Sequence, residues 1–577
     1  MKYYFGLSCT GHDNAIAIVD ENGQIIFAEA AERYLQNKRA WGSPPDDFIR
    51  VKNLLDEYCE PGAEIILARS WTEKTQPLLA QELNNVRKKY RQLTRKHKTK
   101  GFVRMTEMSK FLQRFIGHAA SFAGVHFEFV ASMHNYPIKN LRFNHHLTHA
   151  ANSCFTSEFN KAACMIVDGV GEGQSISYYL YEKGVIKHIH SSKYDGDFFS
   201  LSLGGYYAFL TEICGFDSFK GEEWKVMGLA PYGKPNETFL KLLRARYAVE
   251  NLDLIMKETG HEAYLEMLTY IKKEEDSYEE IIDIAHTGQL FFSEIMTQLL
   301  NNFSKHVDTA NLTLGGGVAL NSAFNGKIVE RTSFKKVFIP SAPGDDGNAL
   351  GAALLAYAKD HGDKYPLKPQ FISPYLGSRI SEKSLEYFLR YSNMKVRHLP
   401  DTICQETAQL IAAGKIVAWV QGRAEFGSRA LGNRSILADP RDLAMKDRIN
   451  AVVKYREGFR PFAPSILAED AADYFHNYQE TPYMERTLVF KEDKKSEVPA
   501  VVHQDNTGRL QTVRKDWNPR YHSLISEFKK LTGTPIVLNT SLNIMGKPIV
   551  HTLEDALGVF LTSGLDVLVI NSYLIEK

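Results

Sequence analysis

Paired cysteines are missing from this chain. Cys9, Cys59, Cys154, Cys164, Cys214 and Cys404 stand singly, and no CxxC occurs. A zinc ribbon and a disulfide framework are both disfavoured, which fits a reduced, cytoplasmic compartment. Long apolar runs are missing too: none reaches the roughly eighteen residues of a membrane helix. Met1 to Leu7 enters a strand directly, with no signal-peptide pattern. Charge of one sign is also scarce. With 69 basic and 68 acidic residues the net charge is +1, so the whole-chain field makes no case for nucleic acid. What remains is an ordinary globular composition, 44% hydrophobic and 24% charged, in a chain of 577 residues. That length exceeds one core and predicts roughly two to four domains.

The first residues read as strand, polar turn, strand, strand: Tyr3 to Cys9, then Thr10-Gly11-His12-Asp13, then Asn14 to Asp20 and Gln24 to Glu29. An actin-like ATPase fold begins this way. The grammar returns with Ala162 to Val167, a turn starting at Asp168-Gly169, and Ser175 to Tyr181, which predicts two similar lobes. Between them about Thr72 to Ser132 reads as polar helix, with basic runs over 87–91 and 95–100. A solvated helix face explains those runs better than a nucleic-acid contact, because aromatic interleaving is sparse. About Lys359 to Arg379, rich in Pro, Gly and Lys, reads as a linker. Helices are predicted over Thr402 to Ala413 and Asp442 to Val452, with strands over Ile416 to Gln421, Pro535 to Leu538 and Val567 to Ile570.

Three clusters carry chemistry. His145 and His149, four apart, share one helix face. With Asp168 at a strand end they offer two nitrogens and an oxygen to a divalent metal, and Asp346 or Asp345 offers a fourth ligand. His146 lies off that face, as a supporting or substrate-facing group. Leu312 to Asn321 is a strand entering a Gly315-Gly316-Gly317 turn, and such a turn allows backbone to approach a phosphate or adenosine. Glu223 to Gly233 reads as a cleft-lining loop. Finally, Gln421 to Ser435 and Lys454 to Pro464 set arginines among Gly, Phe and Pro. Walled in this way, they suit bidentate capture of phosphate or carboxylate. Asn539 to Asn543 adds hydroxyl and amide groups at a strand end.

Ten stretches, in order, are GHDNAIAIV, ERYLQNK, HHLTHAANSCFTS, VDGVGE, EEWKVMGLAPYG, LGGGVALN, PGDDGNALGAA, QGRAEFGSRALGNRSILADPR, REGFRPFAPS and NTSLNIMGKPIV. Together they resemble the O-carbamoyltransferases of the NodU/CmcH family over nearly the whole chain. The resemblance implies an α/β protein with an N-terminal actin-like (ASKHA-type) two-lobed domain, residues 1–365, related to the tRNA threonylcarbamoyl-transferase. A C-terminal YrdC-like α/β domain would span residues 366–577. The YrdC-like domain would make carbamoyl-adenylate from carbamoyl phosphate and ATP, with Mg2+ accompanying the ATP. The actin-like domain would then pass the carbamoyl group to the hydroxyl of a small natural-product acceptor, beside a bound metal, Fe2+ by resemblance.

Carried over by motif, His145, His149, Asp168 and Asp346 are the implied metal ligands. Arg429, Lys454, Arg460, Arg509, Ser541 and Asn543 form the implied carbamoyl-phosphate pocket, with Arg429 and Lys454 catalytic. Lys38 is the implied nucleotide-phosphate contact, and Gly316, Gly317 and Asn321 the adenosine loop. Arg39 and Trp224 depart from the family pattern, where His and Gly are common. A hydroxyl near pKa 15 attacks poorly unaided, and His12, in the first-lobe turn, is expected to be its base or to position it. The partner class is a small-molecule hydroxyl acceptor, with no membrane and no nucleic acid, and a homodimer is allowed. The rival readings are a threonylcarbamoyl-adenosine enzyme acting on tRNA, a non-catalytic actin-like switch, and a hydrogenase-maturation carbamoyltransferase. The +1 charge disfavours the first, the C-terminal arginines the second, and the absence of paired cysteines the third.

Overall fold

In the computed structural model, the repeated strand grammar builds two sheets of the same order. Residues 1–74, 115–193, 201–273, 275–366 and 371–577 are described. The first sheet runs Ile25–Ala30, Ala15–Val19, Lys2–Ser8, Glu64–Arg69, Ile138–Arg142. The second runs Val185–Lys193, Gln174–Glu182, Lys161–Gly171, Asn311–Gly315, Lys336–Phe338. Numbered in chain order within each sheet, both read 3-2-1-4-5. Strands 1 to 3 pair antiparallel, and strands 4 and 5 add parallel to strand 1. This is the actin-like arrangement, one sheet per lobe. Parallel strands need both faces covered, and Lys2–Ser8 is accordingly buried along all but its first residue.

Close packing at the centre of this unit depends on glycine. The small-residue helix Gly347–Asp360 lies so near strand Lys2–Ser8 that a Cβ at Gly6 would fall 1.9 Å from the Ala349 carbonyl oxygen. Against the helix His145–Phe155, a Cβ at Gly351 would fall 1.9 Å from the Thr148 carbonyl oxygen.

The chain divides into two units. The first comprises Met1–Ala31, Arg39–Leu320 and Lys327–Ile372, and the second Glu32–Lys38, Asn321–Gly326 and Ser373–Lys577. The division between Ile372 and Ser373 falls inside the stretch read as a linker. Lys38 and Asn321 group with the second unit, although both are remote from it in sequence.

The second unit is built on an eight-stranded mixed sheet. Its order is Lys395–His398, Tyr573–Glu576, Val567–Ile570, Val417–Val420, Arg434–Ala438, Ile536–Ser541, Ala463–Leu467, Gln511–Val513. One face packs Trp419, Val537 and Val569 against Ile411, Tyr521 and Phe528 from helices Ile403–Ala412 and Pro519–Thr532. The other packs Ile436, Ile466 and Leu538 with Met445, Ile449 and Phe560. The single helix expected over Asp442 to Val452 is α-helical over Ala444–Ile449 and then widens into a π-turn, Asn450–Lys454. Among the described residues no helix is long and apolar enough to cross a membrane. The basic runs over 87–100 lie outside the described residues.

Candidate functional site

The histidine helix is positioned from its first turn. Asn144 caps it, accepting from Leu147 N at 3.1 Å. Glu172, held at φ +50° in the turn after strand Lys161–Gly171, accepts from His145 N at 3.1 Å and from Asn144 Nδ2 at 2.7 Å. Its other oxygen takes Thr72 N at 2.8 Å. A carboxylate there satisfies amides that a helix start leaves open and complements its dipole. One turn apart, His145 and His149 are fully buried.

Asp168 stands where the ladder to strand Gln174–Glu182 loses register, between Val167 and Gly171. Its Oδ2 lies 3.1 Å from His145 Nε2 and 3.6 Å from His149 Nε2. Asp345 closes the group: its Oδ1 is 3.4 Å from His145 Nε2 and 3.3 Å from His149 Nε2. The four donor atoms of His145, His149, Asp168 and Asp345 lie within 4.8 Å of one another. Of the two acids left open by the sequence, Asp345 therefore enters the cluster, whereas the carry-over by motif named Asp346. Asp346 is instead the N-cap of helix Gly347–Asp360, its carboxylate accepting from Gly347 N at 3.0 Å.

Electrostatics in this cluster are tightly balanced. Burial alone would lower His145, but hydrogen bonds to Asp168 and Asp345 outweigh it and push it up to about 10. His149 is raised by the same partners against the same burial. Burial would raise both carboxyls, yet the imidazoles hold Asp168 and Asp345 well below the usual range. The four converging donor atoms are those a divalent cation would require. Two imidazole nitrogens and two carboxylate oxygens, all converging, fit such a cation. His146 points elsewhere, Nδ1 on Ser177 Oγ at 2.7 Å, and burial beside His145 drives it down to about 3.

The glycine turn meets this cluster. Gly316, at φ +89°, has no room for a side chain, since a Cβ would lie 2.2 Å from the Val167 carbonyl oxygen. Gly317 N donates to Asp168 Oδ1 at 3.0 Å. That amide holds a carboxylate rather than standing open, and a 3-10 turn, Gly317–Leu320, follows the glycines. Asn321 caps the short helix Ser322–Asn325, accepting from Phe324 N.

His12 sits in a strained turn. Asp13, Arg39 and Ala40 all take left-handed φ, +52°, +61° and +45°. His12 Nδ1 is 2.9 Å from Asp13 Oδ2 and 3.1 Å from Arg39 Nη2, and its ring packs on Trp41 at 4.8 Å. Arg39 Nη2 pairs with Asp13 at 3.0 Å. Burial would raise the Asp13 carboxyl, but Arg39 and then His12 bring it to about 2. Sequence reasoning missed this Asp13 clamp. The only available signal was the string Gly11-His12-Asp13, and the Arg39 contact spans the loop. Lys225 pairs with Glu222 at 2.7 Å.

In the second unit the predicted cations do gather. Lys454, placed by the π-turn, donates to the Ser541 carbonyl, to Asn543 Oδ1 at 2.7 Å and to the Asn543 carbonyl at 3.1 Å. Ser541 Oγ donates to Asn543 Oδ1 at 2.8 Å. Burial, then Arg456 and Arg460, push Lys454 well down. Burial pushes Arg429 down to about 10, and burial with Arg429 and Arg456 lowers Arg509 strongly. Arg509 Nε is buried without a hydrogen-bond partner. Arg456 joins the group, stacked 4.5 Å from the Phe462 ring and lowered to about 9 by burial and Arg460. It belongs to the Lys454 to Pro464 string, although the residues carried over by motif do not include it. Glu457, 3.2 Å from Arg460, is the acid ion-paired within the cluster. Lys454, Arg456 and Arg460 are thus mutual neighbours, Arg509 neighbours Arg429 and Arg456, and clustered cations attract an anion. Lys38 lies 3.9 Å from Glu32 and is about half exposed.

Comparison with known proteins gives the family of the chain. The profile described as "Carbamoyltransferase N-terminus" matches residues 4–354, and "Carbamoyltransferase C-terminus" matches residues 408–577. Nodulation protein NolO of Bradyrhizobium diazoefficiens is 37% identical over 446 residues, 75% of this chain and 79% of that one. An uncharacterized Methanocaldococcus jannaschii protein, MJ1051, is 30% identical over 577 residues, 99% of each chain. The 3'-hydroxymethylcephem-O-carbamoyltransferase of Amycolatopsis lactamdurans is 36% identical over 245 residues, 42% of this chain and 44% of that one. Among solved structures, HypF of T. kodakarensis aligns with a TM-score of 0.33 at 14% identity, over 63% of this chain and 49% of that one. With both terminal profiles matched in order, this chain belongs to the carbamoyltransferase family, and it is an enzyme of that class.

Proposed function

We propose that this carbamoyltransferase is an ATP-dependent O-carbamoyltransferase with separate activation and transfer sites. The observation that carries the reading is the pairing of two unlike centres in one chain: an arginine and lysine pocket with few acids, and a cluster of two histidines and two aspartates. In the second unit, which we read as YrdC-like, Arg429, Lys454, Arg460 and Arg509 would hold carbamoyl phosphate, a small dianion, while its phosphate leaves. Ser541 and Asn543 fix the Lys454 ammonium. Water would displace that phosphate to leave carbamate, whose oxygen would attack the α-phosphorus of ATP and release pyrophosphate, giving carbamoyl-adenylate, a mixed anhydride with a good leaving group.

In the first unit, His145, His149, Asp168 and Asp345 would hold a divalent metal, iron(II) by resemblance, a donor set that iron accepts. When bound, the metal supplies Lewis acidity toward anhydride and carbonyl oxygens. His12, its Nδ1 side held by Asp13 and Arg39, would take the proton of the acceptor hydroxyl. The acceptor would be a small hydroxyl compound, as the name of the cephem relative indicates for that protein. Incubating the chain with carbamoyl phosphate and ATP, without acceptor, tests the reading. Carbamoyl-adenylate and pyrophosphate are expected, and their absence would sink it. An acceptor panel read by the mass of one added carbamoyl group follows.

A further inference from the structure

Between the antiparallel neighbours Val417–Val420 and Arg434–Ala438 the chain makes a long excursion, residues 421–433, with Arg429 on it. Gly422, Gly427 and Gly432 take positive φ, +38°, +117° and +102°. So long a loop with so many glycines loses much entropy when ordered, and something must hold it.

Glu425 does so from within. It is 2% exposed. One oxygen, Oε1, accepts from Leu431 N at 2.7 Å, Asn433 N at 2.8 Å and Arg434 N at 3.1 Å. These bonds tie the outgoing leg of the turn to its returning leg, and the segment Phe426 to Ala430 is what they close. The carbonyls of that segment are held as well. Arg33 Nη2 reaches Gly427 O at 2.7 Å, Asn539 Nδ2 reaches Ala430 O at 3.2 Å, and Gln511 Nε2 reaches Leu431 O at 2.7 Å. Backbone groups are thus committed to the scaffold, and the chain that carries Arg429 is held on both sides of it, at Gly427 and at Ala430.

We propose that Glu425 is a positioning residue for carbamoyl-phosphate activation: its carboxylate staples the loop that aims Arg429. The proposal rests on the reading that Arg429 binds carbamoyl phosphate. A catalytic arginine displaced by an ångström loses most of its effect, so a staple on its loop acts through that arginine.

The test is a double-mutant cycle on carbamoyl-phosphate-dependent pyrophosphate release from ATP. Glu425→Asp keeps the charge but withdraws it by one methylene. Glu425→Gln keeps an oxygen at Oε1. Expected are a loss of at least about tenfold in kcat/KM for Glu425→Asp, and a value within about threefold of the parent for Glu425→Gln. In an Arg429→Ala background, Glu425→Asp should change kcat/KM less than about twofold, because the arginine it aims is already gone. An equal loss in both backgrounds would show a general structural role and overturn the proposal, as would no loss in either. If Arg429→Ala alone behaves like the parent, the pocket reading itself fails, and that result is distinct from the others. Should Glu425→Asp not fold, Arg33→Ala, which releases Gly427 O from outside the staple, takes its place in the cycle with the same expected pattern.

Discussion

Asp345 turns its Oδ2 toward His12 Nδ1 at 3.8 Å while its Oδ1 lies 3.3 Å from His149 Nε2. One carboxylate therefore serves both the proposed base and the proposed metal set. Asp345→Asn should weaken binding of added iron(II) or zinc(II) by about 100-fold, and His149→Ala should do the same. Asp346→Asn should leave binding near the parent, because Asn caps a helix as well as Asp. Metal content by elemental mass spectrometry after dialysis separates these, and equal losses for Asp345→Asn and Asp346→Asn would contradict the assignment.

The pH dependence of the metal-free chain has a definite sign. Asp168 and Asp345, against burial, hold His145 at about 10 and His149 above its ordinary value. A raised imidazole gives stability that is whole below its unfolded value of about 6.5 and is lost as pH climbs to the folded value. The depressed carboxyls give stability that is present above about 4 and is lost on acidification. Chelator-treated protein should therefore melt progressively lower between pH 6.5 and about 10, and metal affinity should rise over the same span as protons leave the ligands. Melting curves that rise across that window would refute the account.

His12→Ala should slow transfer from preformed carbamoyl-adenylate by roughly 10²- to 10⁴-fold and leave pyrophosphate formation nearly unchanged. Quenched-flow product analysis with supplied adenylate reads the first, a coupled pyrophosphate assay the second. Parent-like transfer would remove His12 from the mechanism.

Arg509→Ala should raise KM for carbamoyl phosphate roughly 10- to 100-fold, the effect of removing one charge-assisted hydrogen bond. Arg509→Lys should recover little of it, since an ammonium lacks the planar fork. Full recovery by lysine would mean that charge alone matters there.

Gly316→Ala should destabilise the first unit by about 3 kcal/mol or more, combining a left-handed φ with a Cβ against the Val167 carbonyl. Urea titration followed by near-ultraviolet circular dichroism checks it, and a change below about 1 kcal/mol would show that the turn can move.

Some of this was legible in the sequence for local reasons. Strands of both lobes follow from apolar runs between polar turns, and His145 with His149 follows from helical spacing, because each is decided within a few residues. Choosing Asp345 over Asp346 was not legible. The two are adjacent, and only the course of the backbone into helix Gly347–Asp360 decides which carboxylate caps and which faces the histidines. Nor was the common 3-2-1-4-5 order, which depends on pairing between strands far apart in the chain. Nor was the role of Glu425 legible. Its three amide partners arise only when the loop closes on itself.

Where Gly6 and Gly351 let neighbouring backbones touch, no side chain remains to be trimmed. Selection can neither widen nor tilt that junction by single substitutions. Any side chain added at Gly6 or Gly351 would meet backbone rather than a flexible neighbour, so helix Gly347–Asp360 itself would have to move.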